Sequence, residues 1–264
     1  CGATGITSCS TDNEDRPVAP ATDDVRLTST FTVTLSPKGD TLAFSTQRLT
    51  WEGGLLKKTN TSIQSALLKI PIESEDSFVY EGTNCTEIIH STGTHDTFTY
   101  ADGRLVSAFS TSSDGNTELI NITGYTADGH ISELTRETSY SDGDIVKVGY
   151  TLTWQNGDLT SYVKHRIAPA GDDAPAEALT YYDVPSPFTG YPVGQYIRDI
   201  TSIAFRGTKH YVKRNRSVQL ENGRIVAETS ETSVTYFTYS DGTGSALASA
   251  QYANMVFSRV RAQE

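Results

Sequence analysis

Two imidazoles and a carboxylate stand within seven positions of this chain, at His90, His95 and Asp96. Imidazole nitrogen with carboxylate oxygen is a metal donor set, but a site needs further ligands at workable spacing and none follows. Short loops between strands also gather His and Asp, so the three residues read as solvated loop side chains, and no metal or cofactor is expected. Asp172-Asp173 offers the oxygens that calcium takes; beside Pro and Ala it reads as a solvated acidic loop. His130, His165 and His210 read as surface histidines. No nucleophile elbow, zinc signature or Gly-rich phosphate loop occurs. The chain has 32 acidic residues, and a catalytic carboxylate pair drawn from different strands would leave no local spacing. A glycoside or ester hydrolase with carboxylates converging at a barrel mouth therefore stays open as the alternative to a non-enzymatic module.

Aromatic chemistry is more concentrated. Tyr181, Tyr182, Phe188 and Tyr191 fall within eleven positions, among Pro185, Pro187 and Pro192. Aromatic faces stack on sugar rings or anchor a protein partner, and nearby prolines lower the entropy lost on binding. These four rings are the candidate ligand-binding residues. The competing reading is that they fill one end of the fold as core.

The elements that must position them are strands. Asp102-Gly103, Asp114-Gly115, Asp128-Gly129, Asp142-Gly143 and Asn156-Gly157 follow one another at intervals of 12, 14, 14 and 14 residues. Such dipeptides accept the positive φ of a hairpin turn. Each interval is then one strand plus one turn, with strands of roughly 10 residues, or about 33 Å. Residues 103–167 are accordingly predicted to form five consecutive antiparallel strands. Val146, Val148, Tyr150, Leu152 and Trp154 share one face of one such strand, and Lys147, Gly149, Thr151, Thr153 and Gln155 share the other. Neighbouring strands mix apolar and polar residues on a face, as in Leu134, Arg136 and Thr138. A sheet of that kind either covers part of its height with a second layer or curls around a polar interior.

Composition agrees. In 264 residues, 36% are hydrophobic, with 21 Gly and 14 Tyr, which suits an all-β, long-stranded meander forming a barrel or curled sheet. A formal net charge of −11 disfavours nucleic acid as a partner. The basic group Lys209, His210, Lys213, Arg214 and Arg216 reads as the solvated face of a strand.

Further strands are expected at residues 25–35, 41–51, 85–91, 97–100, 196–205, 209–220, 224–239 and 251–260, with a helical turn over 62–69. A Pro- and Asp-rich loop interrupts the meander at about 168–194. The whole of 25–262 is read as one β domain.

At the N-terminal side, Ile6-Thr7-Ser8-Cys9 resembles a bacterial lipobox, followed by Asp12, Asn13, Glu14 and Asp15. The resemblance makes Cys9 the lipidated residue, residues 1–8 a signal-peptide remnant and 9–24 a tether. The acidic run resembles the signal that sends Bacteroidetes lipoproteins to the outer face of the outer membrane. Cys1 as the mature terminus is the rival. With Cys9 lipidated, Cys85 has no disulfide partner.

The Asp-Gly turns and Tyr-containing strands, then Tyr182-Asp183, Pro187-Phe188-Thr189-Gly190 and Tyr236-Phe237-Thr238-Tyr239, resemble a family of gut Bacteroidetes lipoproteins of unknown function with a porin-like fold. The resemblance covers about residues 25–260. It implies a large antiparallel, barrel-like sheet and brings no catalytic residues. A membrane-spanning barrel would need an outward apolar band on every strand, and Leu134/Arg136/Thr138 against Glu133/Thr135/Glu137 supplies none. The expectation is a surface- or periplasm-facing module on a lipid anchor, binding a glycan, another envelope ligand or a protein.

Overall fold

The computed structural model describes residues 25–65, 70–197 and 200–252. The lipobox, Cys1, Cys9 and the tether lie outside them. The meander begins with β1 (Leu27–Leu35), β2 (Thr41–Glu52), β3 (Leu55–Ser65), β4 (Ile72–Glu81), β5 (Asn84–His90) and β6 (His95–Ala101). It continues through β7 (Arg104–Thr111), β8 (Thr117–Tyr125), β9 (Ile131–Ser139), β10 (Ile145–Gln155), β11 (Asp158–Ala168) and the short β12 (Glu177–Ala178). Each pairs antiparallel with its sequence neighbour. The five strands predicted over residues 103–167 are β7 to β11.

The turns sort into two chemistries. Asp102 and Gly103 (φ 50° and 75°) and Asn156 and Gly157 (55° and 87°) both sit at positive φ, the two-residue turn whose twist matches the strands it joins. At Gly115, Gly129 and Gly143 only the glycine has positive φ. There the loop is longer: the Gly115 amide donates to the Ser112 carbonyl and the Ser112 amide to the Asn116 carbonyl. The Asp then works through its side chain, as Asp142 Oδ1 accepts the Asp144 amide at 3.1 Å.

The chain returns after an insertion as β13 (Thr180–Pro185), a 3₁₀ turn (Val193–Gln195), α1 (Ile200–Arg206), β14 (His210–Lys213), β15 (Ser217–Glu221), β16 (Arg224–Thr229) and β17 (Ser233–Tyr239). β17 pairs with β1, giving one 15-stranded sheet in the order β12 to β1, then β17, β16, β15. β13 and β14 form a separate pair. β13 spans the two edges of the large sheet: the Tyr181 hydroxyl donates to the Leu159 carbonyl of β11 at 2.7 Å, and the Tyr182 hydroxyl to the Arg216 carbonyl, just before β15, at 2.7 Å. Adjacent strand residues point to opposite faces, which is why two consecutive tyrosines reach opposite edges.

Several expected elements differ. Residues 196–205, expected as a strand, hold the 3₁₀ exit and α1, with Ile197, Ile203 and Ala204 all buried. The Gly207 amide donates to the Ile203 carbonyl at 2.9 Å, closing the last turn of the helix. Residues 62–65 are the end of β3 rather than helix, and 66–69 lie outside the described residues. Residues 209–220 form two strands, not one, and 224–239 form the hairpin β16–β17. Gln251 and Tyr252 are helical rather than strand, and 253–260 lie outside the described residues.

The core occupies one end of the curl. Leu56, Phe78, Ile88, Phe98, Leu105, Ile120, Leu134, Leu152 and Leu159 of the concave face form one cluster with Tyr191, Ile197, Ile203 and Tyr211 of the returning segment. The returning segment is therefore a plug that gives the apolar half of the inner face its second layer. The outward face carries charge along the strands, with Lys58 Nζ 2.9 Å from Glu75 and Lys147 Nζ 3.2 Å from Glu137.

Candidate functional site

The plug is seated by its backbone. A Cβ on Gly194 would lie 2.5 to 2.8 Å from three atoms of the Phe98 ring, so the 3₁₀ turn rests directly on that ring. Ahead of it, Phe188 packs on Tyr191, Phe237 and Tyr211 at centroid distances of 5.4, 6.3 and 6.4 Å, and Tyr191 meets Trp51 at 6.0 Å. The Arg206 guanidinium, at the end of α1, lies over Phe188 and Tyr191 at 5.4 and 5.7 Å.

Between the plug and the rim of the sheet a cleft of about 490 Å³ remains. Its walls include Arg26 ahead of β1, residues 185–187 and 189–191 of the insertion, residues 206–210 joining α1 to β14, and Arg224 with Tyr239 of the last strands. Gly190 sits at φ +88°, and a Cβ there would come within 2.6 Å of Arg26 Nη1, so this lip is shaped by a missing side chain. Asp158 holds His210 from behind, accepting the backbone amide at 2.8 Å with Oδ2 2.7 Å from Nδ1. Arg224 Nη1 is 3.4 Å from Asp241. His130, also in the wall, stacks on Trp154 at 4.6 Å. No carboxylate lines the cleft among the described residues.

The sequence candidates fall as follows. Tyr191 is only 7% exposed, lines the cleft, and its hydroxyl is buried without a partner among the described residues. Burial raises its pKa. Phe188 is half-buried behind the wall, and Tyr181 and Tyr182 are the half-buried struts at the sheet edges. Of the basic group read as a solvated face, Lys209 and His210 line the cleft. Lys213 lies 5.2 Å over the Tyr182 ring, and Arg216 pairs with the buried Glu228 at 2.7 Å.

His90, His95 and Asp96 separate. His95 sits 2.9 Å from Glu87, while His90 stands between Asp76 (Nδ1 to Oδ1, 2.8 Å) and Asp96 (Nε2 to Oδ2, 3.1 Å). Both ring nitrogens are engaged. The hydrogen bonds to Asp76 and then Asp96 outweigh desolvation and raise the His90 pKa to about 9. Burial pushes Asp76 up, but hydrogen bonding to His90 and its charge win and leave it below the ordinary carboxylate value. These residues belong to a polar row across the half of the concave face away from the plug. Thr59 pairs with Asp76, Asp76 with His90, Asp96 with Ser110 and Ser110 with Glu118, which is 2.7 Å from Arg136. Asp173 is 2.8 Å from His165. Cys85 is a buried free thiol, raised to about 11 by burial.

A curled antiparallel sheet with a plugged end, a polar inner half and a cleft beside the plug defines a porin-like fold class. The comparison with solved structures agrees: a porin-like protein from Bacteroides uniformis superposes with a TM-score of 0.55 at 14% identity, covering 84% of this chain and 99% of that one. No protein-family model and no curated protein matches this chain.

Proposed function

We propose that this chain is a lipid-anchored envelope protein, tethered through Cys9 to the outer membrane, that presents a non-enzymatic binding module for a glycan, another envelope ligand or a protein partner. The observation that carries the binding reading is the cleft. Its volume lies within the roughly 300–1,000 Å³ range of small-molecule sites, and its wall combines aromatic residues with the hydrogen-bond donors of Arg26, Arg206, Lys209 and Arg224. The hydrolase reading requires two carboxylates about 5–10 Å apart in a cleft. The lining residues give it no support, since none of those described is Asp or Glu.

Two experiments test this. Thr189 is an exposed residue of the cleft lip. Thr189→Trp narrows the entrance and should abolish the binding that the parent protein shows on a glycan array, with the melting temperature moved by less than about 4 °C. Binding unaffected by the added bulk would place the ligand elsewhere. Cys9→Ala should shift the protein from the membrane to the soluble fraction of its host; intact acylation of that variant would remove the anchor assignment.

A further inference from the structure

We propose that the cleft takes an anionic saccharide, one bearing carboxylate or sulfate. This rests on the cleft being the binding site. The chain carries a net charge of −11, yet the described wall of its cleft holds Arg26, Arg206, Lys209 and Arg224 with His130 and His210 and no acid. Gathering like charges around a concavity is unfavourable unless an opposite charge fills it, and low-dielectric walls focus the resulting potential into the opening.

Part of this charge is answered from behind, because Asp241 is near Arg224 and Asp158 holds His210. Arg26, Arg206 and Lys209 have no carboxylate partner among the described residues. They come from separate stretches of chain, so the fold, and not a local run of basic residues, brings them together. The two guanidinium groups are held in a way that leaves their donors available. Arg206 rests on the faces of Phe188 and Tyr191, and Arg26 lies 5.7 Å over Trp51 with one contact to the Thr189 carbonyl at 3.4 Å. A guanidinium oriented by ring faces keeps its planar fork free for bidentate contact with a carboxylate or sulfate.

The rest of the cleft excludes a bare inorganic anion as the fitting occupant. A single sulfate would leave most of the 490 Å³ and the Tyr191, Tyr196 and Tyr239 walls unused. A saccharide carrying the anion fills that volume, and the exposed Thr189 supplies a hydroxyl oxygen at the mouth.

Isothermal titration of the whole protein with tetragalacturonate, a sulfated tetrasaccharide, neutral maltotetraose and inorganic sulfate decides the matter. At least one acidic tetrasaccharide should bind about tenfold or more tighter than maltotetraose, and weaken severalfold when salt rises from about 50 to about 300 mM. Arg206→Gln should weaken that binding by roughly tenfold or more. Lys209→Gln, at an exposed position with an unaltered melting temperature, should weaken it about three- to tenfold, which keeps the test independent of any loss of packing around Arg206. Maltotetraose binding as tightly as the acids, without salt dependence, would overturn the anionic inference and leave the binding module standing. Sulfate alone matching the tetrasaccharides would overturn the saccharide. No binding of any of the four would sink both the inference and the assignment of the cleft.

Discussion

Replacing His90 by Ala should lower stability by about 3–5 kcal/mol near pH 6, a loss of roughly 8–15 °C in melting temperature. The cost is not the lost packing of one ring. Asp96 has 5% of its side chain exposed and Asp76 26%, and both are aimed at the imidazole. Without it, two carboxylates face each other across a poorly hydrated space and lose the imidazolium that stands between them. The pH dependence makes the assignment specific. The folded protein favours the protonated ring, with a pKa of about 9 against an ordinary 6.5. This contribution is therefore complete below pH 6.5 and lost as pH rises toward 9, about 2–3 kcal/mol in all. Asp76 acts with the opposite sign: its lowered pKa gives stability that is present above pH 3.8 and lost as acid protonates it. Denaturant midpoints across pH 5 to 10 should fall through the alkaline half in the parent and stay flat there in His90→Gln. A parent curve that is also flat over that interval would show that the row is held by neutral hydrogen bonds.

What the sequence made legible was what is local. Asp-Gly and Asn-Gly constrain their own backbone, so β7 to β11 and their pairing could be placed from residues 102–157 alone. The type of turn was less visible, because whether Asp or only Gly takes positive φ depends on the loop around it. Helix α1 stands where a strand was expected over residues 196–205, because whether this short segment pairs or coils depends on the sheet that surrounds it and not on its own residues. The polar row escaped notice for a different reason. Thr59, Asp76, His90, Asp96, Ser110, Glu118 and Arg136 sit on seven strands, and their adjacency is the sum of six registers, several of them shifted by bulges. The cleft is more distributed still, with Arg26 and Arg224 nearly 200 positions apart. Lys209 and His210 were visible as a basic group, but the face they occupy follows from α1 turning the chain back into the mouth.

Tyr191 links the plug to the cleft, and two substitutions there should separate its roles. Tyr191→Ala removes a ring that is 7% exposed and touches Trp51 and Phe188, with Arg206 stacked upon it. The expected cost is about 3–5 kcal/mol, as for other large aromatic truncations in a core, and the plug should loosen with it. Tyr191→Phe keeps the ring and deletes only a buried hydroxyl that has no partner among the described residues. An unpaired buried hydroxyl carries its desolvation cost without return, so this variant should be as stable as the parent or up to about 1 kcal/mol more so. Chemical denaturation of the two variants beside the parent reads both outcomes. A loss above about 1 kcal/mol in Tyr191→Phe would mean that the hydroxyl has a partner, and the chemistry of the cleft wall would have to be redrawn around that bond. If Tyr191→Phe keeps its stability but loses saccharide affinity, the hydroxyl exists for the ligand. The protein would then bear an unfavourable buried group in the free state that becomes satisfied when the cleft fills.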